Sequence, residues 1–260
     1  MGPLIQGNAP AGVLAIDKPA GWTSHDVVAV VRGVLGEKHV GHGGTLDPLA
    51  TGLLPVLVGS ATKFVERIHT APKVYAAVVR FGSETATDDA AGAVTAEAPP
   101  PERSRAEAAL AGFRGAISQV PPAYAAVKVG GRTAYSRARA GETVALAARE
   151  VQVLRLDVTA WSSDADLGLV VVCSSGTYVR SLARDLGRAC GSAAHLASLR
   201  RLAVGALDVS GAVGIERLRR EGRDAALARL RAADDALLAL DDRYLTAPAG
   251  TLVAQEEGNA

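Results

Sequence analysis

The sequence predicts a mixed α+β domain, and three observations carry that prediction. Residues 13–17, 73–82 and 168–173 are strand-like: the second alternates Tyr75, Ala77, Val79 and Phe81 on one face, and the third is an unbroken apolar run. Helical stripes lie between them, as in Val27, Val30, Val31, Val34 and Leu35. The order of these segments does not repeat a strand and a helix in turn, so a regular doubly wound sheet is not expected.

Taken in order, residues 1–11 are rich in Gly, Pro and Ala and are expected to fray, and the strand at 13–17 follows. Ser24 stands where it can cap the helix whose stripe begins at Val27, and Gly36 ends that helix. Residues 41–55 combine glycines, two prolines and apolar residues that fit neither period, which predicts a loop running into a buried segment. After the strand at 73–82, residues 84–101 are polar, small and Pro-ended, again a loop. Ser104 and Glu107 make a capping-box pattern ahead of Leu110 and Phe113, so a helix is expected to start there. Residues 120–141 hold two prolines, a Gly130-Gly131 pair flanked by basic residues and a helix-like stretch with Tyr135, a surface hairpin with a basic side. Ser174-Ser175-Gly176 is a turn into a helix that Thr177 can cap and whose buried stripe is Val179, Leu182, Ala183 and Leu186. Arg180 sits in its first turn beside Tyr178, at a strand-to-helix junction of the kind that commonly holds binding groups. Residues 215–240 read as helical, and 241–260 as a tail.

Composition narrows the class. A chain of 260 residues with 48% hydrophobic content can bury a sizeable core. No run of about 18 apolar residues is present to cross a bilayer, and the N-terminus lacks the charged start and apolar core of a secretory signal, so a cytoplasmic location is expected. Cys173 and Cys190 lack metal or redox spacing and read as reduced, buried thiols. A net charge of +1 does not announce a polyanion-binding protein, but the charge is uneven. Residues 128–139 carry Lys128, Arg132, Arg137 and Arg139 without an acid, and 180–201 carry Arg180, Arg184, Arg188, Arg200 and Arg201 with one. Local basic surfaces are therefore expected within a neutral total.

Asp47 lies in the Gly-rich, Pro-bounded segment among Leu46, Leu49, Leu53 and Leu54, which predicts a partly buried carboxylate in need of a partner. By itself a loop Asp before Pro is more often a turn-former than a catalyst. His39 and His42 have no third ligand at metal-site spacing, so no metal is expected. Gly41, Gly43 and Gly44 lack the lysine of a phosphate-binding loop and the dinucleotide spacing, so no nucleotide cofactor is expected either. Tyr75 reads as strand packing or as a stacking platform, and Arg180 as a structural or functional cation.

Residues 41–52, GHGGTLDPLATG, closely resemble the active-site motif of the bacterial tRNA pseudouridine-55 synthases. Further segments match that family in order: IDKP at 16–19, KVY at 73–75, AVKVGG at 126–131, SGTYVR at 175–180 and LRRL at 199–202. The matches span about 12–209. The resemblance implies a pseudouridine synthase fold, with a mixed, mostly antiparallel central sheet flanked by helices and RNA-binding loops. It implies that the chain isomerises uridine 55 of the tRNA T-loop to pseudouridine by base flipping, glycosidic cleavage and reattachment through C5, without cofactor or metal. Asp47 would be the catalytic carboxylate and Arg180 its ion-pair partner. Tyr75 would pack on the base and help remove the C5 proton. Tyr178 and Leu199 would line the pocket, His42 would fill the space left by the flipped base, and Lys18 would support the site. The basic segments 128–139 and 180–201 would hold phosphates, with binding that weakens in salt.

Many family members carry a C-terminal PUA domain that grips RNA. The chain after Leu240 is too short for one, so the expected organisation is a flexible 1–11, a catalytic domain over 12–240 and a short tail at 241–260. Thr45 also stands where some relatives have Ala, which leaves the spacing of the aspartate unchanged. A monomer without an obligatory protein partner is expected. Two other classes use similar surfaces: a tRNA-remodelling protein without catalysis, against which Asp47, Tyr75 and Arg180 argue, and an RNA-guided catalytic subunit, against which the short C-terminus argues.

Overall fold

The computed structural model describes residues 5–6, 9–125, 127–129, 131–134, 137, 140, 142 and 145–257. The chain forms two compact units, one of Met1–Ala76 with Leu199–Ala260 and one of Ala77–Ser198. Among the described residues no helix is long and apolar enough to cross a membrane.

The first unit is organised by the strand Thr51–Val58, buried at every position but its first. So continuous an apolar run suits a strand covered on both faces. It pairs antiparallel with Gly12–Lys18, from Gly12 against Val58 to Lys18 against Gly52. On its other edge it has two partners in succession. Val40–His42 runs antiparallel along Val56–Val58, and the strand Ala194–Val204 meets its start in parallel, with Arg200 opposite Thr51 and Arg201 opposite Gly52. Pro55 lies where the partners change; opposite Ala15 in the first ladder, it turns its carbonyl to the other edge, where Gly43 N–H donates to it at 2.8 Å. Val213–Gly214 adds a second parallel pairing, against Ile16–Asp17.

The helix Ser24–Leu35 buries Val27, Val28, Val31 and Leu35 and packs on Ile215–Ala228. Its cap is Thr23, not Ser24: Thr23 and Asp26 form a reciprocal capping box, and Gly36 closes the C-terminus in the left-handed region at φ 61°. Ser24 turns inward, and its hydroxyl is paired with the Leu46 N–H at 2.9 Å and the Leu46 carbonyl at 3.2 Å. The expected helix over 215–240 is shorter and broken. It runs Ile215–Ala228 with Gly222 at φ 75°, and a separate turn covers Asp235–Leu238. Beyond residue 240 the chain folds into Arg243–Thr246 and Ala249–Glu257, anchored by buried Tyr244, whose hydroxyl donates to Asp208.

In the second unit Gly115–Gln119, Arg149–Trp161 and Asp166–Cys173 pair antiparallel, with register shifts at Val153/Arg155 and Val158/Ala160. Residues 84–101 are not merely loop: Ser83–Thr85 and Val94–Glu97 form a two-stranded hairpin. The helix Arg103–Ala109 begins before Ser104, on Glu102, without a side-chain cap. Val179–Ala189 buries the expected stripe, but its cap is Tyr178, and the Thr177 hydroxyl has no hydrogen-bond partner among the described residues. Lys128–Val129 and Arg132–Thr133 make the expected hairpin, while Tyr135 and Arg139 lie outside the described residues. The central sheet is thus mixed and mostly antiparallel, as expected.

Candidate active site

Asp47 is half-buried at the middle of the loop joining Val40–His42 to Thr51–Val58. Nearly every residue beside it is tied down from outside the loop. Ser24 holds Leu46 by both backbone groups. Gly21 N–H donates to the Pro48 carbonyl at 2.8 Å. Lys18 Nζ lies 3.5 Å from the same carbonyl and donates at 2.9 and 2.8 Å to the carbonyls of Pro19 and Trp22. Arg201 donates to the Gly44 carbonyl at 3.0 Å and to the Leu53 carbonyl at 2.7 Å.

Charge is concentrated here. Burial drives the Lys18 ammonium down to about 8; the Asp47 carboxylate opposes that shift and the Arg201 cation adds to it. Arg201 is only 1% exposed. Burial lowers its pKa, and Tyr75, which shares a hydrogen bond with the guanidinium, and the Asp47 carboxylate oppose the shift. Tyr75 itself is buried on the strand Lys73–Phe81. Leu199, half-buried, lies two residues before Arg201 and so on the same face of its strand. Arg200 faces the other way and forms a two-bonded ion pair with Asp17 at 3.0 and 2.9 Å, so the segments IDKP and LRRL are joined directly.

His42 ends the strand Val40–His42. Burial pushes it down to about 4, with smaller contributions from His25, His69 and Arg201, so the ring is neutral at physiological pH. His25 meets it edge-on at 5.4 Å. Its Nδ1 is buried without a hydrogen-bond partner among the described residues. No group of three His, Cys, Asp or Glu among the described residues could hold a metal ion.

Arg180 and Tyr178 belong to the second unit. Arg180 is buried and donates to the carbonyls of Thr87 and Tyr124, each at 3.0 Å, with an Asp89 oxygen at 3.9 Å. One turn on, Arg184 pairs with Asp88 at 2.6 Å, and burial raises the Asp88 carboxyl against the pull of that cation. Asp88 holds φ 59°, unusual for a residue with a side chain. Tyr178 exchanges backbone hydrogen bonds with the Gln119 amide at 2.8 and 3.0 Å, under the Arg149 guanidinium.

The expected row of phosphate-binding cations at 180–201 is not there in that form. Arg180, Arg184 and Arg201 are buried, and Arg188 and Arg200 are each in two-bonded pairs with Glu84 and Asp17. In the 128–139 segment, Arg132 and Arg137 share Glu142 at 2.9 and 2.7 Å. Spacing reveals the cations but not the acids that pair with them, Glu84 and Asp17 from distant positions and Glu142 from just beyond the segment.

Comparison with known proteins gives the class. The fold resembles a chain of the solved Cbf5-Nop10-Gar1 complex, at 27% identity and a TM-score of 0.66, covering 86% of this chain and 61% of that one. It also resembles a chain of the archaeal box H/ACA sRNP Nop10-Cbf5 complex, at 26% identity and a TM-score of 0.63 over 87% and 61%. This chain therefore spans about three fifths of those solved chains. The fold is that of a pseudouridine synthase, an isomerase.

Residues 32–179 match the family described as TruB family pseudouridylate synthase (N terminal domain). The tRNA pseudouridine synthase B of Ralstonia nicotianae is 49% identical over 233 residues, covering 87% of this chain and 73% of that protein. The enzyme of the same name from Thermobifida fusca is 51% identical over 220 residues, covering 81% and 75%. The chain belongs to the TruB family of pseudouridylate synthases.

The residue missed in the sequence is Arg201. In the sequence it stands only within a basic run and a motif, yet its guanidinium is the group around which Gly44, Leu53 and Tyr75 converge. Alternation along 194–204 does not single it out, because Arg201 shares a face with Leu199 and Ala203 while Arg200 shares one with Leu202 and Val204.

Proposed function

We propose that this isomerase converts uridine 55 in the T-loop of tRNA to pseudouridine, with Asp47 as its catalytic carboxylate. The observation that carries the reading is the loop around Asp47: its carboxylate is presented from a backbone fixed on both sides, beside two buried cations. Preorganisation of that kind is what a reactive group needs. The reaction breaks the bond from C1′ to N1 of uracil and forms the bond from C1′ to C5. C5 loses a proton and N1 gains one, so the product is an isomer and no electrons are transferred.

The uridine must leave the folded RNA, at a cost of a few kcal/mol that stacking and filling contacts offset. Tyr75 packs on the base and assists removal of the C5 proton, while Leu199 and Tyr178 wall the pocket. His42 takes the space vacated by the base, and its neutral ring enters the RNA without carrying a charge out of water. Lys18 supports the loop. The resemblance assigns Arg180 as the countercharge to Asp47. The same reading has the enzyme act as a monomer without cofactor, metal or obligatory protein partner.

The test incubates wild-type protein and Asp47→Asn with unmodified tRNA and maps pseudouridine by chemical labelling at single-nucleotide resolution. Wild type is expected to modify position 55 alone, and Asp47→Asn to bind tRNA and make no product. Product from Asp47→Asn, or a different site, sinks the assignment.

A further inference from the structure

We propose that Arg201 is a positioning residue of the catalytic site, fixing the Asp47 loop and the Tyr75 hydroxyl in one arrangement; this rests on the reading that Asp47 and Tyr75 act on uridine. The Asp47 loop leaves Gly44 and re-enters the sheet at Gly52, both glycines at positive φ, 115° and 94°. Arg201 closes that loop at both ends. Its side chain takes the Gly44 carbonyl at 3.0 Å and the Leu53 carbonyl at 2.7 Å, and its backbone lies opposite Gly52. A Cβ at Gly52 would fall 2.3 Å from the Arg201 carbonyl oxygen, so the close approach itself demands glycine.

A guanidinium buried to 1% exposure is costly unless its donors are satisfied. Here they are spent on the carbonyls of Gly44, Thr45 and Leu53 and on Tyr75, with the Asp47 charge nearby. Only a planar fork reaches all of these at once; an ammonium at the end of a lysine cannot. Displacing the loop by about 1 Å would cost on the order of 10²-fold in rate while leaving the RNA-binding surface untouched.

The test uses the full chain as wild type, Arg201→Lys, Arg201→Gln, Tyr75→Phe and the Arg201→Lys/Tyr75→Phe double variant. Single-turnover rates on tRNA are expressed per folded molecule, and tRNA affinity and thermal unfolding are measured alongside. Arg201→Lys is expected to bind tRNA as wild type does and to react on the order of 10²-fold more slowly. Its loss and that of Tyr75→Phe are expected not to multiply in the double variant, because both act on one arrangement. Arg201→Gln, which buries no charge, stands in if the lysine variant fails to fold. A wild-type rate per folded molecule in the arginine variants, or losses that multiply in full, overturns the proposal. A wild type that makes no pseudouridine in the same assay overturns the functional reading instead.

Discussion

At the scale of single residues, His42 is where protonation and stability are linked. Its folded pKa, about 4, lies below its unfolded value of 6.5, so the unfolded chain binds a proton more readily in that interval. The stability this contributes is complete above about 6.5 and is lost as pH falls toward about 4. His42→Gln is expected to remove that part of the acid sensitivity. Urea unfolding midpoints of the two proteins, measured across the same interval, should converge as pH falls; parallel curves would contradict the assignment. The half-buried setting of Asp47 was legible because apolar residues surround it in the sequence. Arg201 was not, because a buried arginine in a strand is indistinguishable by type from an exposed one until the carbonyls it serves are located.

At the scale of elements, adjacent residues at the start of the Ser24–Leu35 helix do different work. Thr23 caps the helix, and Ser24 ties it to the loop at Leu46. Thr23→Ala is expected to cost about 1 kcal/mol of stability and leave turnover unchanged. Ser24→Ala leaves the buried Leu46 groups unsatisfied, costing about 1–3 kcal/mol, and is expected to slow turnover as well, because Leu46 adjoins Asp47. Denaturant unfolding with single-turnover kinetics separates the two; equal turnover losses would remove the distinction. Elements with one strong period were readable, as at 13–17, 24–35 and 168–173. The long strand Arg149–Trp161 was not, because charged residues interrupt it and two register shifts break its alternation.

At the scale of the whole molecule, acids and bases nearly balance in number, for a net charge of +1, and many of them pair within the fold. Ion pairs absorb Arg188, Arg200, Arg132 and Arg137, and burial removes Arg180, Arg184 and Arg201. Affinity for tRNA is therefore expected to fall with salt less steeply than one phosphate contact per cation of 128–139 and 180–201 would require. Equilibrium binding over a salt series gives the slope, and a full-count slope would mean those pairs open on binding. The division into two units was invisible in the sequence, because the chain leaves the first after Ala76 and returns to it at Leu199. No local pattern marks a return over that separation.

Pro55 has a consequence for what the chain is prevented from becoming. A residue with an N–H at this point would offer the sheet one more donor on the edge where Val40–His42 ends. The pairing of Val40–His42 could then close fully at Gly43, carrying the next residues toward the edge that Arg200 and Arg201 occupy. Proline has no such donor. The ladder stops one bond early, and the stretch bearing Asp47 keeps the irregular path on which its carboxylate is displayed.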